Sequence, residues 1–468
     1  MRASVAAPPA RVSATAPRVR LMTRAVSHET LEIVTRIAAR RVVVGYLVLW
    51  VLEGAARKWG PGALDEVFYI GRDVMLVGAL LAFYIQGLPR RRHPWWPLLW
   101  AGALILGIHG AIAMILGTID PMTLAMGMRG YLSGLMLLVF TLTYADGSIL
   151  DTLTDAIAIL ALISLPIVIT QVLSAPDAVI NQETVAESAN FVNGDGVVRP
   201  SGTFTAPMGL ASFISLGLAV SVSRVTFGTR RRTLHGFALG ALALMSAISG
   251  SRTIAIVGVA LVVVLLYIAA RRFTVRSAMA VLGMLTAVGV GLMVANRVFA
   301  TVLEAFSDRV DQASKQEDSG GRVLDSIFGF ITSPMDLWGA GAGAYSPLGS
   351  QRLGTSWEEV DKDKYVAELG VLGYALAFIA LAGAVWALLH IIVRGGSAPP
   401  DRLMVLAILA STLLFVGVTQ QPSTQGGFAI MVTLLVLTGR GFDPPPGDAP
   451  EAPGSTARTL AAPGPRRG

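Results

Sequence analysis

Arginines beside short runs of small residues are the first feature of this sequence that could do chemistry. Arg199 lies in RPSGTFTAP, Arg252 in SGSRT, and Arg322 follows SGG. A guanidinium group binds two oxygens of one phosphate at once, and small residues leave the neighbouring backbone N–H groups accessible. The three arginines therefore suit a phosphate or pyrophosphate group. Taken singly, each arginine is also an ordinary contact to a lipid headgroup.

A run of acids, WEEVDKDKY at 357–365, is the second chemical feature. Glu359, Glu358 and Asp361 are candidates for a general base that accepts a proton from a hydroxyl group. A carboxylate with an ordinary pKa of about 4.3 is a weak base for this task, so the role requires burial or is limited to orienting the hydroxyl. The alternative is a solvated charged loop, which is the common case for interleaved acids and lysines.

Charged residues also interrupt two otherwise apolar segments. Arg72 and Asp73 fall within 67–86, and Arg129 falls within 122–144. An unpaired charge at the centre of a bilayer costs about 2.5 to 3.5 kcal/mol, so such residues face a cavity or a charged partner. For Arg72 and Asp73, an ion pair and a functional role are both open. Arg129 has no acid within one helical turn, which favours a functional cavity.

The elements that must position these residues are apolar helices. The chain has 468 residues, of which 53% are hydrophobic and 14% charged, whereas soluble proteins carry about 25% charged residues. Apolar runs long enough for a bilayer about 30 Å thick recur along the chain, so we predict an all-α polytopic membrane protein. The twelve predicted transmembrane helices are 42–56, 67–86, 95–118, 122–144, 153–174, 208–226, 233–249, 253–270, 278–296, 366–393, 402–419 and 427–439.

Composition also excludes several classes of site. The chain has no cysteine, which rules out disulfides and thiolate metal ligands, and its five histidines form no pair on one helical turn. We expect no metal and no cofactor. The net charge of +7 is attributed to membrane topology and not to nucleic-acid binding.

Loop arginines predict the orientation of the chain. Triple-arginine loops at 90–92 and 230–232 lie on the same side as the basic N-terminal tail, which places both termini in the cytoplasm. We expect the cytoplasmic (inner) membrane as the location. The predicted divisions are a disordered basic tail (1–41), spans one to nine (42–296), a large outside, periplasmic loop (297–365), spans ten to twelve (366–439) and a disordered proline-rich tail (440–468).

The large outside loop is predicted to contain short helices. Residues 296–311 have apolar positions at helical spacing, typical of an amphipathic helix on the membrane surface. A second short helix is predicted from Arg322 to about Thr332. The glycine-rich segment WGAGAGAYS (338–346) is interpreted as a hinge whose backbone approaches a ligand closely.

Several motifs occur in an order that resembles the O-antigen polymerase and ligase superfamily, especially its exopolysaccharide-polymerase branch. They are LEGAARKW (52–59), YIGRDVMLV (69–77), RPSGTFTAP (199–207), SGSRT (249–253), GR (321–322), WGAGAG (338–343) and ELGVLG (368–373). The resemblance covers residues 50 to 375, which is most of the predicted membrane region.

The resemblance implies a metal-independent membrane glycosyltransferase that polymerises undecaprenyl-pyrophosphate-linked oligosaccharides on the periplasmic face. The donor pyrophosphate would contact Arg199, Arg252 and Arg322, which match basic positions of the family, and we add Arg129 and Arg72 as candidates. The expected partners are the lipid-linked glycan and the bilayer, with a chain-length-determining protein as a further candidate and no nucleic acid.

One departure from the family bears on the reaction. Ligases of this superfamily carry a histidine shortly before the helix that follows the outside loop, whereas no histidine lies between His235 and His390 here. This absence favours the polymerase branch, with Glu359 as the first choice of base. Two alternatives stay open, a ligase-type transferase with a replaced base and a transporter or flippase of lipid-linked sugars, which the intramembrane charges would also suit.

Overall fold

The structure is a computed structural model, and the parts of the chain that it describes are helical, without a β-strand. The described residues are 28–62, 65–91, 93–182, 198–228, 230–272, 319–333, 336–355, 360–419, 421–440 and scattered positions between 278 and 297.

The α-helices with defined bounds follow one another along the chain. They are α1 (His28–Trp59), α2 (Asp65–Ile85), α3 (Trp96–Ile115), α4 (Pro121–Tyr144), α5 (Ile149–Leu173), α6 (Pro207–Thr226), α7 (Arg232–Ile248), α8 (Arg252–Arg271), α9 (Ser319–Phe328), α10 (Pro347–Leu353), α11 (Asp361–Leu369), α12 (Val371–Arg394), α13 (Pro400–Phe415) and α14 (Pro422–Arg440). Single 3₁₀ turns lie at Val179–Asn181 and Gly329–Ile331.

Eight described helices are long and apolar enough to cross a membrane: α2, α3, α4, α5, α6, α8, α12 and α14. This pattern is typical of a multi-pass membrane protein and confirms the all-helical class. The predicted first, seventh and eleventh spans overlap α1, α7 and α13, which are not among the eight. The predicted ninth span (278–296) falls mostly outside the described residues. The count of twelve therefore stays a prediction.

Proline explains where several helices begin. The first residue of α4, α6, α10, α13 and α14 is a proline, which lacks the N–H that a first helical residue leaves unbonded. Before α4, the Asp120 side chain also accepts hydrogen bonds from the N–H groups of Met122 and Thr123. This N-cap fixes the start of the helix that carries Arg129.

The predicted tenth span differs from the structure at its start. The prediction placed one helix at 366–393, but the chain forms α11 and then α12, with Gly370 between them at φ +56°. This positive φ interrupts the helical geometry, which glycine adopts without the strain of a Cβ. The membrane-length helix therefore begins at Val371, and α11 belongs to the polar end of the bundle.

Within the predicted outside loop, α9 and the 3₁₀ turn after it cover most of the helix expected from Arg322 to Thr332. The expected amphipathic helix at 296–311 lies outside the described residues, apart from Arg297.

The centre of the bundle is built around α6 and α14, which are mostly buried, while α2 and α3 expose most of their apolar residues. Trp50 of α1 lies at this centre, with its ring centroid 5.4 Å from that of Phe204 and 5.9 Å from that of Phe213. Its indole N–H donates to the carbonyl oxygen of Ser423 at 2.6 Å. Trp50 therefore joins α1, α6 and the start of α14 close to the polar residues described below.

Polar residues also lie at the opposite end of α6, in its last turn. Arg224 forms ion pairs with Asp151, at the start of α5, and with Asp401, at the start of α13, at 2.6 and 3.0 Å. Since α6 has 20 residues, this end lies about 30 Å from the start of the helix. Arg224 thus joins the end of α6 to the starts of α5 and α13.

Candidate functional site

Three arginines and three acids meet where α1 ends and α2 begins, together with the N-terminal half of α4. We call Arg57, Arg72, Arg129, Glu53, Asp65 and Asp73 the arginine cluster. Arg57 bonds Asp65 at 2.7 Å and lies 3.8 Å from Glu53 on its own helix. These contacts fix the turn between α1 and α2, because they join residues on both sides of it.

Arg72 is the most deeply buried cation of this cluster, with no exposed side-chain surface. It lies 3.5 Å from Glu53 of α1 and donates to the carbonyl oxygen of Pro422 at 3.0 Å. It does not pair with Asp73, although the two are adjacent in sequence, because consecutive helical residues point about 100° apart. The acid that pairs with Arg72 is therefore Glu53 of another helix, α1, and not the adjacent Asp73.

Arg129 has the acid partner that its own helix lacks. Its Nε donates to Asp73 of α2 at 2.5 Å, and another guanidinium N–H donates to the carbonyl oxygen of Tyr69 at 2.6 Å. The guanidinium also lies over the Tyr69 ring at 4.2 Å, and that of Arg57 lies 4.7 Å from the same ring. The sequence of α4 has no acid within one turn of Arg129, but this did not predict whether Arg129 is paired. The pairing acid, Asp73, comes from α2, which packs alongside α4.

Since its three acids offset its three guanidinium groups, the arginine cluster is close to neutral as it stands. A buried ion pair is retained only when hydrogen bonds satisfy both partners. The backbone oxygens of Tyr69 and Pro422 each accept one such hydrogen bond, from Arg129 and Arg72, whereas Asp73 Oδ1 has no hydrogen-bond partner among the described residues. The acids and these backbone oxygens of the protein hold the guanidinium donors in place.

The segment 198–206, which contains RPSGTFTAP up to Ala206, is held beside this cluster. Lys58, next to Arg57, donates to Ser201 Oγ at 2.9 Å and to the carbonyl oxygen of Gly202 at 2.8 Å. Gln171 of α5 accepts from the Gly202 N–H at 2.7 Å and donates to its carbonyl at 3.2 Å. Ser201 and Gly202 are buried, so their backbone is not open to a ligand as their small size suggested.

Arg199 lies at the start of this segment and is half-buried. One residue, Pro200, separates it from Ser201, whose hydroxyl group Lys58 contacts. The structure therefore brings Arg199 to the same end of the bundle as Arg72 and Arg129, which the sequence predicted as members of one site.

A small cavity lies between α1, segment 198–206 and α14. It encloses about 10 Å³, which is on the order of one water molecule. Its lining residues are Trp50, Glu53, Gly54, Phe204, Thr205 and Ser423. Because Glu53 also contacts Arg72 and Arg57, the cavity adjoins the arginine cluster.

The acidic run at 357–365 is only partly described, and three residues of its described part are buried. Asp361, Lys362 and Lys364 of α11 each have less than a tenth of their surface exposed. Lys362 donates to the carbonyl oxygens of Leu413 and Leu414 at the end of α13. Lys364 donates to both the carbonyl and the hydroxyl oxygen of Thr419. For these three residues, the interpretation of a solvated charged loop is therefore wrong.

Asp361 has its carboxylate oxygens occupied by the protein itself. It accepts from the N–H groups of Val418 and Thr419 at 2.5 and 3.0 Å, from the Thr419 hydroxyl at 2.8 Å and from the Tyr365 hydroxyl at 3.2 Å. Burial raises the pKa of Asp361, whereas Lys364 and the Thr419 and Val418 donors act in the opposite direction. This geometry indicates an anchor for the link between α13 and α14, and the base role stays a prediction.

Replacing Asp361 with asparagine is expected to lower the unfolding free energy by about 2–3 kcal/mol, because an amide cannot accept all the donors that face the carboxylate. Thermal unfolding of the purified protein in detergent measures this loss. The matched control is Asp177→Asn, since Asp177 is exposed. Unchanged stability together with lost activity would instead make Asp361 the base.

Glu368, at the end of α11, is fully buried and joins three parts of this end. It accepts from the Tyr131 hydroxyl of α4 at 2.8 Å and from the Tyr345 N–H at 3.0 Å. Its backbone carbonyl accepts from the Gly341 N–H at 2.9 Å. A Cβ on Gly127 of α4 would overlap the backbone of Ala342. The glycines of 338–343 therefore allow this segment to pack closely against α4 and α11. The close approach that was predicted for a ligand is thus made by the backbone of the protein itself.

The remaining predicted site residues are less informative. Glu358 and Glu359 lie outside the described residues, and Arg322 lies in α9, with its side chain outside them. Arg252 is the first residue of α8 and is exposed; α8 packs mainly against α6 and α13. The structure therefore brings Arg72, Arg129 and Arg199 to one end and does not show Arg252 or Arg322 joining them.

Sequence reasoning missed Glu53, Arg57 and Lys58. The available signal was the spacing of Glu53 and Arg57, which places both on one face of a helix. This spacing lies within the motif LEGAARKW (52–59), which entered the sequence analysis only through its resemblance to the family motif. The sequence matches no protein-family model, and a search of curated proteins found no similar protein.

Proposed function

We propose that this protein is a membrane glycosyltransferase that polymerises undecaprenyl-pyrophosphate-linked oligosaccharide units into exopolysaccharide or O-antigen. In this reaction a hydroxyl of the acceptor attacks the anomeric carbon of the donor sugar. The bond to the pyrophosphate breaks, and the lipid pyrophosphate leaves as an anion. Catalysis then depends on fixed cations and N–H donors that stabilise the charge developing on the leaving group.

The observation that supports the proposal is the arginine cluster. Two helices that are otherwise apolar enough to cross a membrane, α2 and α4, hold Arg72 and Arg129. Arg57 lies in the last turn of α1, and Lys58 and Arg199 lie at the same end. Intramembrane charges are costly and are typical of functional sites. Planar guanidinium donors match the oxygens of a pyrophosphate headgroup.

The orientation is part of the proposal. Both termini lie in the cytoplasm, the cluster faces the periplasm, and twelve spans cross the inner membrane. Arg129, Arg72 and Arg199 contact the pyrophosphate. Arg252 approaches it from the turn between α7 and α8, and Arg322 approaches it from the outside loop. Glu359 or Glu358 accepts the proton of the attacking hydroxyl, and Asp361 holds the adjoining backbone in place.

Deleting the gene in its native host tests the proposal. A polymerase mutant accumulates single repeat units on the lipid carrier, already on the outer face and accessible to a membrane-impermeant oxidant such as periodate. Polymer of normal length in the deletion strain would refute the proposal. Complementation with the intact gene is the control, and gel electrophoresis of the glycan is the measurement.

A transporter or flippase is the second candidate, and the depth of the charges favours it. Arg72 follows the start of α2 by seven residues and Arg129 follows the start of α4 by eight, which places both about 10 to 12 Å along their helices. Transporters hold substrates near the middle of the bilayer. In a flippase mutant the same single units stay on the inner face and resist the impermeant oxidant.

A ligase-type transferase differs in its acceptor. In a ligase mutant, polymer forms on the lipid carrier but is not transferred to its final acceptor. The deletion experiment therefore separates the three activities by the length and location of the lipid-linked glycan.

A further inference from the structure

Within the part of the chain that the structure describes, Lys58 is a buried cation of this end that forms no ion pair with a carboxylate. Arg57, Arg72 and Arg129 each contact an acid. Lys364 lies 4.0 Å from Glu368. Among the described residues, the polar partners of Lys58 are Ser201 Oγ and the carbonyl oxygen of Gly202, both neutral.

Burial makes this arrangement costly for a charged amine. Only 6% of Lys58 is exposed, and its ammonium group carries three donors, of which two have protein acceptors. Desolvation lowers the pKa of Lys58 to about 7, since no carboxylate compensates the charge. Lys58 lies in α1 two residues beyond the predicted span 42–56, so the predicted topology places it near the lipid headgroups.

We infer that Lys58 binds a phosphate group of an anionic ligand. Its ammonium group is held at Ser201 and Gly202, two and three positions along the chain from Arg199, and Arg57, the residue before it, belongs to the arginine cluster. A lysine acts as a compact point charge for phosphate. The charges of the arginine cluster are already balanced by its acids, so Lys58 supplies the net positive charge that attracts the ligand.

This inference rests on the proposed function, because it concerns the same site. It adds Lys58 as a residue that contacts the phosphate group of the proposed substrate. The phosphate group belongs either to a free phosphate compound or to a lipid headgroup. Binding of either kind stabilises the charged amine and returns the pKa of Lys58 towards its ordinary value of 10.5.

The sign of the pH effect follows from the two pKa values. Between about pH 7 and pH 10.5 the unfolded chain holds a proton on Lys58 that the folded chain has lost. Stability contributed by this group therefore rises with pH across that window, and the full burial penalty is present below pH 7. A bound phosphate group removes this rise, because the folded chain then keeps the proton.

The test is a titration of the lysine side chains in the full-length protein, labelled with ¹³C-lysine and purified in detergent. The chain has only four lysines, at positions 58, 315, 362 and 364, so the signals are few. The probes are inorganic pyrophosphate, farnesyl pyrophosphate and farnesol. We expect either pyrophosphate probe to raise the titration midpoint of Lys58 by at least one pH unit, with the Lys364 signal as the internal control.

Two variants give a second measurement. Lys58→Met is expected to weaken pyrophosphate binding at least tenfold by calorimetry, whereas Lys58→Arg retains it. Tighter binding of farnesyl pyrophosphate than of pyrophosphate identifies a lipid ligand, and equal binding identifies a free phosphate compound. A Lys58 signal that neither pyrophosphate probe moves, or one that farnesol alone moves, overturns the inference.

The outcomes also separate this inference from the proposed function. A Lys58 response in a protein whose deletion leaves polymer intact supports phosphate binding and refutes the polymerase. Loss of polymer on deletion, together with an unresponsive Lys58, supports the polymerase and refutes this role of Lys58.

Discussion

Replacing Arg129 with alanine is expected to reduce polymer formation by about 100-fold or more while the protein still inserts into the membrane. The variant removes a guanidinium that donates to Asp73 and to the Tyr69 carbonyl, and with it a donor for the leaving pyrophosphate. It also leaves Asp73 buried without its cation, which costs about 3–5 kcal/mol. Glycan length on gels, normalised to protein in the membrane fraction, measures the effect.

Arg224→Ala is the matched control for this effect. Arg129 and Arg224 are each 12% exposed and pair with an aspartate at 2.5 and 2.6 Å, but they lie at opposite ends of the bundle. Arg129→Ala loses its ion pair with Asp73, and Arg224→Ala loses its ion pairs with Asp151 and Asp401, so a loss of ion pairing by itself would affect both variants. The double variant Arg129→Ala with Asp73→Ala removes the unpaired acid as well. Polymer of normal length from that double variant, or equal losses from Arg129→Ala and Arg224→Ala, would contradict the proposed site.

Replacing Gly54 with alanine is expected to cost about 3 kcal/mol or more and to abolish accumulation of folded protein. An added Cβ would lie 2.5 Å from the carbonyl carbon of Phe204 and 2.5 Å from the carbonyl oxygen of Thr203. These are backbone atoms of the segment that Lys58 and Gln171 already hold, so they cannot move away at low cost. Fluorescence-detected gel filtration in detergent reports the folded fraction.

Gly78→Ala provides the comparison. Gly78 also lies inside a helix, α2, but a Cβ there would meet no atom within 4 Å. Because alanine has the higher helix propensity, this variant is expected to be neutral or up to about 1 kcal/mol more stable. Equal behaviour of the two variants would show that α1 and segment 198–206 do not pack as closely as the structure indicates.

The candidate site was only partly predictable, and the arginines show why. The apolar runs around Arg72 and Arg129 identified both as charges that require a partner or a cavity. Their actual partners, Glu53 and Asp73, come from neighbouring helices. Which helices neighbour each other depends on packing over the whole bundle, and a local window of sequence does not contain that information.

Burial of polar segments was the second property that local patterns misjudged. The residues of α11 and of segment 198–206 are charged or small, and such residues usually lie at the surface. Here the ends of α13 and α14 cover the former, and α1 and α5 cover the latter. Most of their polar side chains are tolerated inside because they meet a backbone or side-chain partner; Thr203 Oγ1 is buried without a hydrogen-bond partner among the described residues.

The sequence by itself determined the helical class, the apolar segments and several helix starts, because hydrophobicity over about 20 residues and a proline at the first position act locally. It also marked Arg72, Arg129 and Arg199 as members of one site. Only the tertiary structure decided that Glu53, Arg57 and Lys58 join them, and that Asp361 is held by the backbone before α14. Ion pairing and burial are properties of several helices together, since an acid, a cation and the chain that covers them meet only when the bundle packs.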